Sequence, residues 1–210
     1  MTTLFDYLLW RGDLPLEADP LNEVDGVILA RLSYMPFERI LERESTQPIT
    51  VEETSRRLLA LPDIETAVRR RGDTDLLRAL AESPRFGRMA LSAYADRLDA
   101  ESQTQFSAIT VALEPEHTAV IYRGTDNTLI GWKEDFNMGF VCPVPGQLLA
   151  VDYLQRAAER FSGRLTVCGH SKGGNFAVYA AAFCGETVQR RIGTVYNFDG
   201  PGFDSTVLTQ

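Results

Sequence analysis

The feature that most constrains this chain of 210 residues is a serine flanked by glycines, between a strand-forming and a helix-forming segment. Residues 165–168 are β-prone, and residues 175–183 favour a helix of small and apolar side chains. Gly169 and Gly173 stand two positions before and after Ser171 and permit a sharp turn. The pattern predicts a serine hydroxyl raised above a sheet edge, typical of serine nucleophiles. The alternative interpretation is a glycine-rich turn without chemistry.

The rest of the second half alternates between strand and helix patterns. Two β-prone runs, 106–113 and 118–122, are separated by a turn signal at Glu114-Pro115-Glu116 and predict a hairpin. A helix is expected over 147–161, and a last apolar run covers 192–198. This alternation predicts an α/β fold with a mainly parallel sheet flanked by helices.

The first hundred residues have a different pattern, and we expect a division into 1–100, a helical N-terminal section packed on the core, and 101–210, the core itself. Asn22 is expected to cap one helix, and Thr50, with a glutamate three positions later, has the spacing of a capping box ahead of another. Residues 86–98 fit either a strand or a helix.

The charge balance limits the partners of the chain. With 29 acidic and 21 basic residues, the formal net charge is −8, which argues against a nucleic-acid partner and against an anionic membrane surface. The densest basic run, Arg69-Arg70-Arg71, is expected at a helix end, where it complements the helix dipole. No apolar stretch approaches the length of a transmembrane segment, so none is expected.

Cysteine usage and the N-terminus indicate the compartment. Cys142, Cys168 and Cys184 do not have metal-ligand spacing and cannot all pair, so a reducing cytoplasm is expected and no metal site is predicted. The N-terminus lacks a basic segment ahead of an apolar run, so no signal peptide is expected. No organic cofactor is implied, and the oligomeric state stays open.

A second motif lies upstream of the serine. The strand-ending sequence Ile121–Thr125, followed by Trp132 and Asp135, together with the Gly-His-Ser-Lys-Gly-Gly sequence around Ser171, resembles the class 3 lipases of the α/β-hydrolase superfamily. The resemblance covers about residues 104–204. Residues 5–8, 10–13 and 131–137 resemble more narrowly an uncharacterised bacterial lipase-like branch of that family, which implies no particular substrate. The resemblance to the class 3 lipases implies a carboxylic ester hydrolase, an esterase acting on lipid-like acyl esters through an acyl-enzyme on Ser171.

Two backbone amides are candidates for an oxyanion hole. In a strand-to-helix turn of this kind, the amide that follows the nucleophile, here that of Lys172, points toward the developing oxyanion. The resemblance implies that Thr125, after the Arg-Gly pair, supplies the second donor. The sequence identifies no residues that bind the rest of the substrate.

The remaining members of a catalytic triad are harder to assign. His117 precedes the strand that ends at the Thr125 loop, which places it at the wrong end of the sheet, and His170 is expected to serve packing and hydrogen bonding. The resemblance implies that the catalytic histidine follows Gln210, so this chain is expected to lack it. Asp199 has two interpretations, a catalytic acid at the carboxyl edge of the sheet or a residue of an Asp-Gly-Pro-Gly turn.

Two further expectations concern the whole molecule. Residues 204–210 resemble the start of a helix, which favours a chain whose hydrolase fold continues beyond its last residue. The rival functional class is a non-catalytic binding or scaffold protein that retains the hydrolase fold, and the missing histidine supports it only if the natural chain ends at Gln210.

Overall fold

The computed structural model describes residues 3–203 and residue 207, and in them a single sheet lies between two layers of helices. Its strands are β1 (Ile49–Thr50), β2 (Ala90–Asp99), β3 (Thr104–Glu114), β4 (His117–Tyr122), β5 (Arg164–His170) and β6 (Ile192–Phe198). The helices are α1 (Leu4–Arg11), α2 (Glu23–Leu32), α3 (Val51–Leu59), α4 (Ile64–Ala67), α5 (Asp73–Glu82), α6 (Leu129–Asn137), α7 (Pro145–Arg160), α8 (Lys172–Phe183) and α9 (Glu186–Gln189), with a 3-10 turn at Phe37–Arg39.

The sheet is mixed, so the expectation of a mainly parallel sheet is wrong. The strands lie in chain order across the sheet; β1 to β4 pair antiparallel, and β4, β5 and β6 pair parallel. The short connections at 100–103 and 115–116 allow only hairpins, whereas parallel neighbours need a crossover. The crossovers are α6 with α7 and α8 with α9. The predicted hairpin is therefore confirmed, and so is the final strand over 192–198.

The strands bury both faces because alternate side chains point to opposite sides of the sheet. In β4, Ala119 and Ile121 pack against the layer formed by α2, α3 and α5, whereas Val120 and Tyr122 pack against α7 and α8. All four are buried. Both faces of the sheet are therefore covered by helices.

Local signals in the N-terminal section are largely confirmed. Asn22 caps α2 by accepting from the amides of Val24 and Asp25. Thr50 caps α3 by accepting from the Glu53 amide at 3.1 Å, although the Glu53 carboxylate binds arginines in the next turn and does not complete a capping box. The ambiguous residues 86–98 contain most of β2, which belongs to the same sheet as the later strands.

The basic run follows a helix end, as expected, but its contacts lie elsewhere. Arg69-Arg70-Arg71 comes directly after Val68, the C-cap residue of the short helix α4, whose own last turn contains no basic residue. The side chains of the run reach the end of α2. Arg69 Nη1 donates to the Tyr34 carbonyl at 2.7 Å, and the Arg70 guanidinium lies 5.8 Å from the Tyr34 ring centre.

In the described part of the chain, none of the helices combines the length and apolar character needed to cross a lipid bilayer. The helix expected to start within 204–210 lies outside the described residues, apart from residue 207, which is in a turn.

Candidate active site

Ser171 occupies a strained turn between β5 and α8. Its backbone has φ 56° and ψ −132°, a combination that side-chain-bearing residues rarely adopt and that costs on the order of 1–3 kcal/mol. Three hydrogen bonds hold this conformation. The Ser171 amide donates to the Phe198 carbonyl at 2.8 Å, and the Ser171 carbonyl accepts from Gly174 at 2.8 Å and from Asn175 at 3.3 Å. The backbone thus makes the sharp strand-to-helix turn that the glycine pattern predicts.

Glycine is required where three segments converge on Ser171. A Cβ on Gly173 would overlap the Tyr122 carbonyl oxygen, so the first turn of α8 lies against the end of β4. A Cβ on Gly124 would overlap the Tyr34 hydroxyl, lie 2.5 Å from the His170 carbonyl oxygen and lie 3.2 Å from the Ser171 Cβ. The absence of a side chain at position 124 therefore brings the loop after β4 directly beside the serine.

The two predicted oxyanion donors have no acceptor in the described chain. Neither the Thr125 amide nor the Lys172 amide donates to a backbone or side-chain acceptor among the described residues. The Thr125 hydroxyl oxygen is buried and likewise has no hydrogen-bond partner in the part of the chain that the structure describes. Unsatisfied buried polar groups are rare in folded proteins, and a ligand atom is one of the partners that can complete them.

The side chain of Lys172 is turned away from the serine into the protein interior. Its Nζ donates to Glu134 Oε2 at 2.7 Å and to the Gln105 carbonyl at 2.8 Å, and both charged side chains are buried. Glu134 also accepts from the amides of Gln105 at 3.0 Å and Gly146 at 2.9 Å. Burial lowers the pKa of Lys172, and the Glu134 carboxylate opposes that shift. The Lys172 side chain therefore holds interior segments together and is not placed to act as a base for Ser171.

Sequence reasoning assigned no role to Glu134. In α6 the apolar residues Leu129, Trp132 and Phe136 are 71%, 62% and 70% exposed, whereas the Glu134 side chain is 1% exposed, the reverse of an ordinary amphipathic helix. The one sequence feature that could have indicated a buried acidic residue is Lys172. A lysine at the start of an otherwise small and apolar helix needs a buried carboxylate partner, but the sequence does not say which one.

Neither histidine is placed as a general base for Ser171. His117 lies opposite Arg164 at the start of the parallel β4–β5 pair, and its Nε2 lies 2.9 Å from Thr166 Oγ1. Ser171 follows the other end of β5, roughly 23 Å away at about 3.3 Å per residue. His170 instead faces α2, with its Nδ1 2.9 Å from the Tyr34 hydroxyl.

Asp199 reaches the same sheet edge as the serine. His170 and Phe198 are register partners at the ends of adjacent strands, so Ser171 and Asp199 are the first residues after those strands. Asp199 is exposed, has φ 55° and makes no hydrogen bond to a histidine in the described residues. The turn after it is closed by the Gly200 amide, which donates to Asn197 Oδ1 at 2.9 Å. Asp199 therefore lies at the carboxyl edge of the sheet and also in the Asp-Gly-Pro-Gly turn.

Comparisons with known proteins give one family and one distant structural likeness. A family model described as Mbeg1-like matches residues 80–210. No curated protein matches the chain. One of two matching solved structures is a fungal lipase–inhibitor complex, presented as a model for interfacial activation in lipases, with 17% identity and a TM-score of 0.38. That match covers 69% of this chain, which spans 58% of the length of the fungal lipase.

Proposed function

The chain belongs to the Mbeg1-like family, and from this premise and the geometry of the β5–α8 turn we propose that it is a serine hydrolase acting on carboxylic esters, lipid-like acyl esters in particular. One observation carries the proposal: Ser171 is held at φ 56° and ψ −132° beside two amides that have no acceptor in the described residues. Strained backbone of this kind persists only where the surroundings over-determine it, and it concentrates at functional sites.

The chemistry follows from what each group can donate. The Ser171 oxygen attacks the acyl carbonyl and loses its proton to a base, and the carbonyl oxygen becomes an oxyanion. The Thr125 and Lys172 amides donate to that oxyanion, the second of them from the positive end of α8. The alcohol then leaves with a proton, and water hydrolyses the acyl-enzyme. Removal of one such donor typically costs about 10²–10³ in rate.

A second candidate function is supported by the placement of the histidines. His117 lies at the far end of the sheet and His170 binds Tyr34, so neither supplies the base that turnover needs. A protein that binds acyl esters without hydrolysing them would retain the same turn around Ser171. An oxyanion hole without its base still accelerates hydrolysis about 10³–10⁴-fold over the reaction in water. Weak hydrolysis therefore does not distinguish the two candidates, whereas the reactivity of the Ser171 hydroxyl toward a covalent probe does.

Labelling with a fluorophosphonate probe tests the proposal. We expect the probe to be found by mass spectrometry on Ser171, to be lost in Ser171→Ala, and to be unchanged in Ser162→Ala, which removes an exposed serine after α7. Labelling elsewhere, or none on folded protein, would contradict a nucleophilic Ser171 and favour the binding function. Hydrolysis of p-nitrophenyl esters that disappears in Ser171→Ala would in addition show turnover.

A further inference from the structure

A pocket of about 220 Å³ lies beside the serine turn, on the α2 side of the sheet. His170, the residue before Ser171, lies in its wall. Larger grooves occur along α1 and over β1, but no residue of the β5–α8 turn lines either of them, whereas His170 of that turn lines this pocket. The other lining residues of the pocket are apolar or cationic: Leu4, Val27, Ala30, Phe198, Arg31 and Arg70.

The two arginines of the pocket differ in their partners. Arg31 is paired with Asp73, with Nη2 2.9 Å from the carboxylate. The Arg70 guanidinium has no carboxylate partner among the residues that the structure describes, and it lies 5.8 Å from the centre of the Tyr34 ring. In a chain with eight more acidic than basic residues, a cation without a counter-ion at the rim of an apolar pocket is available to an anionic ligand.

The positive charge of Arg70 affects His170, the wall residue of the pocket that directly precedes Ser171. Burial lowers the pKa of His170, the field of Arg70 lowers it further, and the field of Asp199 raises it. Tyr34 shares a hydrogen bond with His170, and burial raises its own pKa. The charges that act on His170 are therefore Arg70, on the pocket side, and the exposed Asp199, since Arg31 is paired with Asp73, and the neutral Tyr34 hydroxyl shares a hydrogen bond with the imidazole.

We propose that this pocket binds an anionic group carried on a short apolar segment, with Arg70 as its counter-ion, so that the substrate of Ser171 is an acyl ester bearing a carboxylate or a phosphate. The apolar wall side chains require an apolar segment, and a guanidinium binds either anion in a bidentate manner. The link to Ser171 rests on the proposed function, whereas the binding of the anion does not.

Calorimetric binding of three ligands with the same chain length tests the pocket. Hexyl phosphate and hexanoate carry the anion, and hexyl glucoside is the neutral control. Binding of either anion supports the proposal, and the relative affinity of the two anions identifies the preferred group.

We expect Arg70→Gln to weaken anion binding about tenfold. Arg70→Lys should weaken it less, and Arg71→Gln, which removes an equal exposed charge outside the pocket, should leave it unchanged. Equal losses in Arg70→Gln and Arg71→Gln, or equal affinity for the glucoside, would overturn the proposal.

Two further measurements test the role of the apolar wall and the link to Ser171 separately. Inorganic phosphate should bind at least about tenfold more weakly than hexyl phosphate, and equal affinity would contradict a role for the apolar wall. Hexyl phosphate should slow fluorophosphonate labelling of Ser171 in the wild type more than in Arg70→Gln. Binding that leaves labelling unaffected would overturn the substrate assignment. A serine that never labels, in a protein whose binding of hexyl phosphate depends on Arg70, would overturn the proposed function and still support the anion site.

Discussion

The ammonium of Lys172 lies 2.7 Å from Oε2 of Glu134, and neither side chain is accessible to solvent. The pair connects the first turn of α8, directly after Ser171, with the middle of α6, which follows the loop of Thr125. Two backbone amides, those of Gln105 and Gly146, bind the same carboxylate. The two segments that carry the candidate oxyanion donors are therefore joined behind the site by a buried ion pair.

Breaking this pair should be costly. Glu134→Gln leaves the Lys172 charge buried without compensation, and we expect the free energy of unfolding to fall by about 3 kcal/mol in chemical denaturation. Glu186→Gln, which removes one partner of the exposed Glu186–Arg190 pair, should cause no measurable change. The double variant Glu134→Gln/Lys172→Met should be less destabilised than the sum of its single variants. Additive effects, or a Glu134→Gln protein as stable as Glu186→Gln, would contradict the importance of the pair.

The strain at Ser171 predicts an unusual order of stability. At φ 56° alanine retains the steric conflict and glycine does not, so Ser171→Gly should be more stable than Ser171→Ala by about 1 kcal/mol. The comparison is thermal or denaturant unfolding of the two variants, neither of which has the nucleophile. At Ser162, where φ is not positive, the order should be the ordinary one, with glycine less stable. The same order at both positions would mean that the turn at Ser171 is not strained.

Gly124 is expected to control the reactivity of Ser171. Gly124→Ala places a methyl group against the Tyr34 hydroxyl and 2.5 Å from the His170 carbonyl, so the loop of Thr125 must shift. We expect fluorophosphonate labelling of Ser171 to slow by about 10² or more, the effect of losing one oxyanion donor. Gly202→Ala, in a position with nothing within 4 Å of the added carbon, is the matched control and should label normally. Normal labelling of Gly124→Ala would argue against an oxyanion role for the Thr125 amide.

The pKa of His170 should report the charges around it. Because burial and Arg70 lower it, Arg70→Gln should move it up toward 6.5, and Asp199→Asn should move it further down. An NMR titration of the two histidines measures this, with His117→Gln to assign the signals.

The lowered pKa of His170 also makes the stability of the protein depend on pH. Since folding lowers the pKa of His170, the unfolded chain binds more protons between that lowered pKa and about 6.5, and the contribution of this residue to stability rises as the pH increases through that window. The rise should be shallower in Arg70→Gln. A His170 pKa that does not respond to Arg70 would contradict the arrangement of the pocket.

The sequence by itself determined the elements whose signals are local. The turn at Ser171 follows from two glycines between a β-prone run and a run of small residues, and the cap of α2 follows from the short side chain of Asn22. The last strand was predicted over the residues that form it, 192–198, because β-branched and aromatic residues predominate in it. Each of these features involves atoms within a few positions along the chain.

Only the tertiary structure decided which distant residues meet. Strand direction across the sheet was misjudged, since it depends on connections as well as on composition. Tyr34 and His170 are 136 positions apart, and Lys172 and Glu134 are 38 positions apart. The position of Arg70 beside the pocket likewise depends on how α2 packs on the sheet. Packing of this kind arises from the burial of whole faces, so no short pattern encodes it, and the partners of Ser171 had to be found in the folded chain.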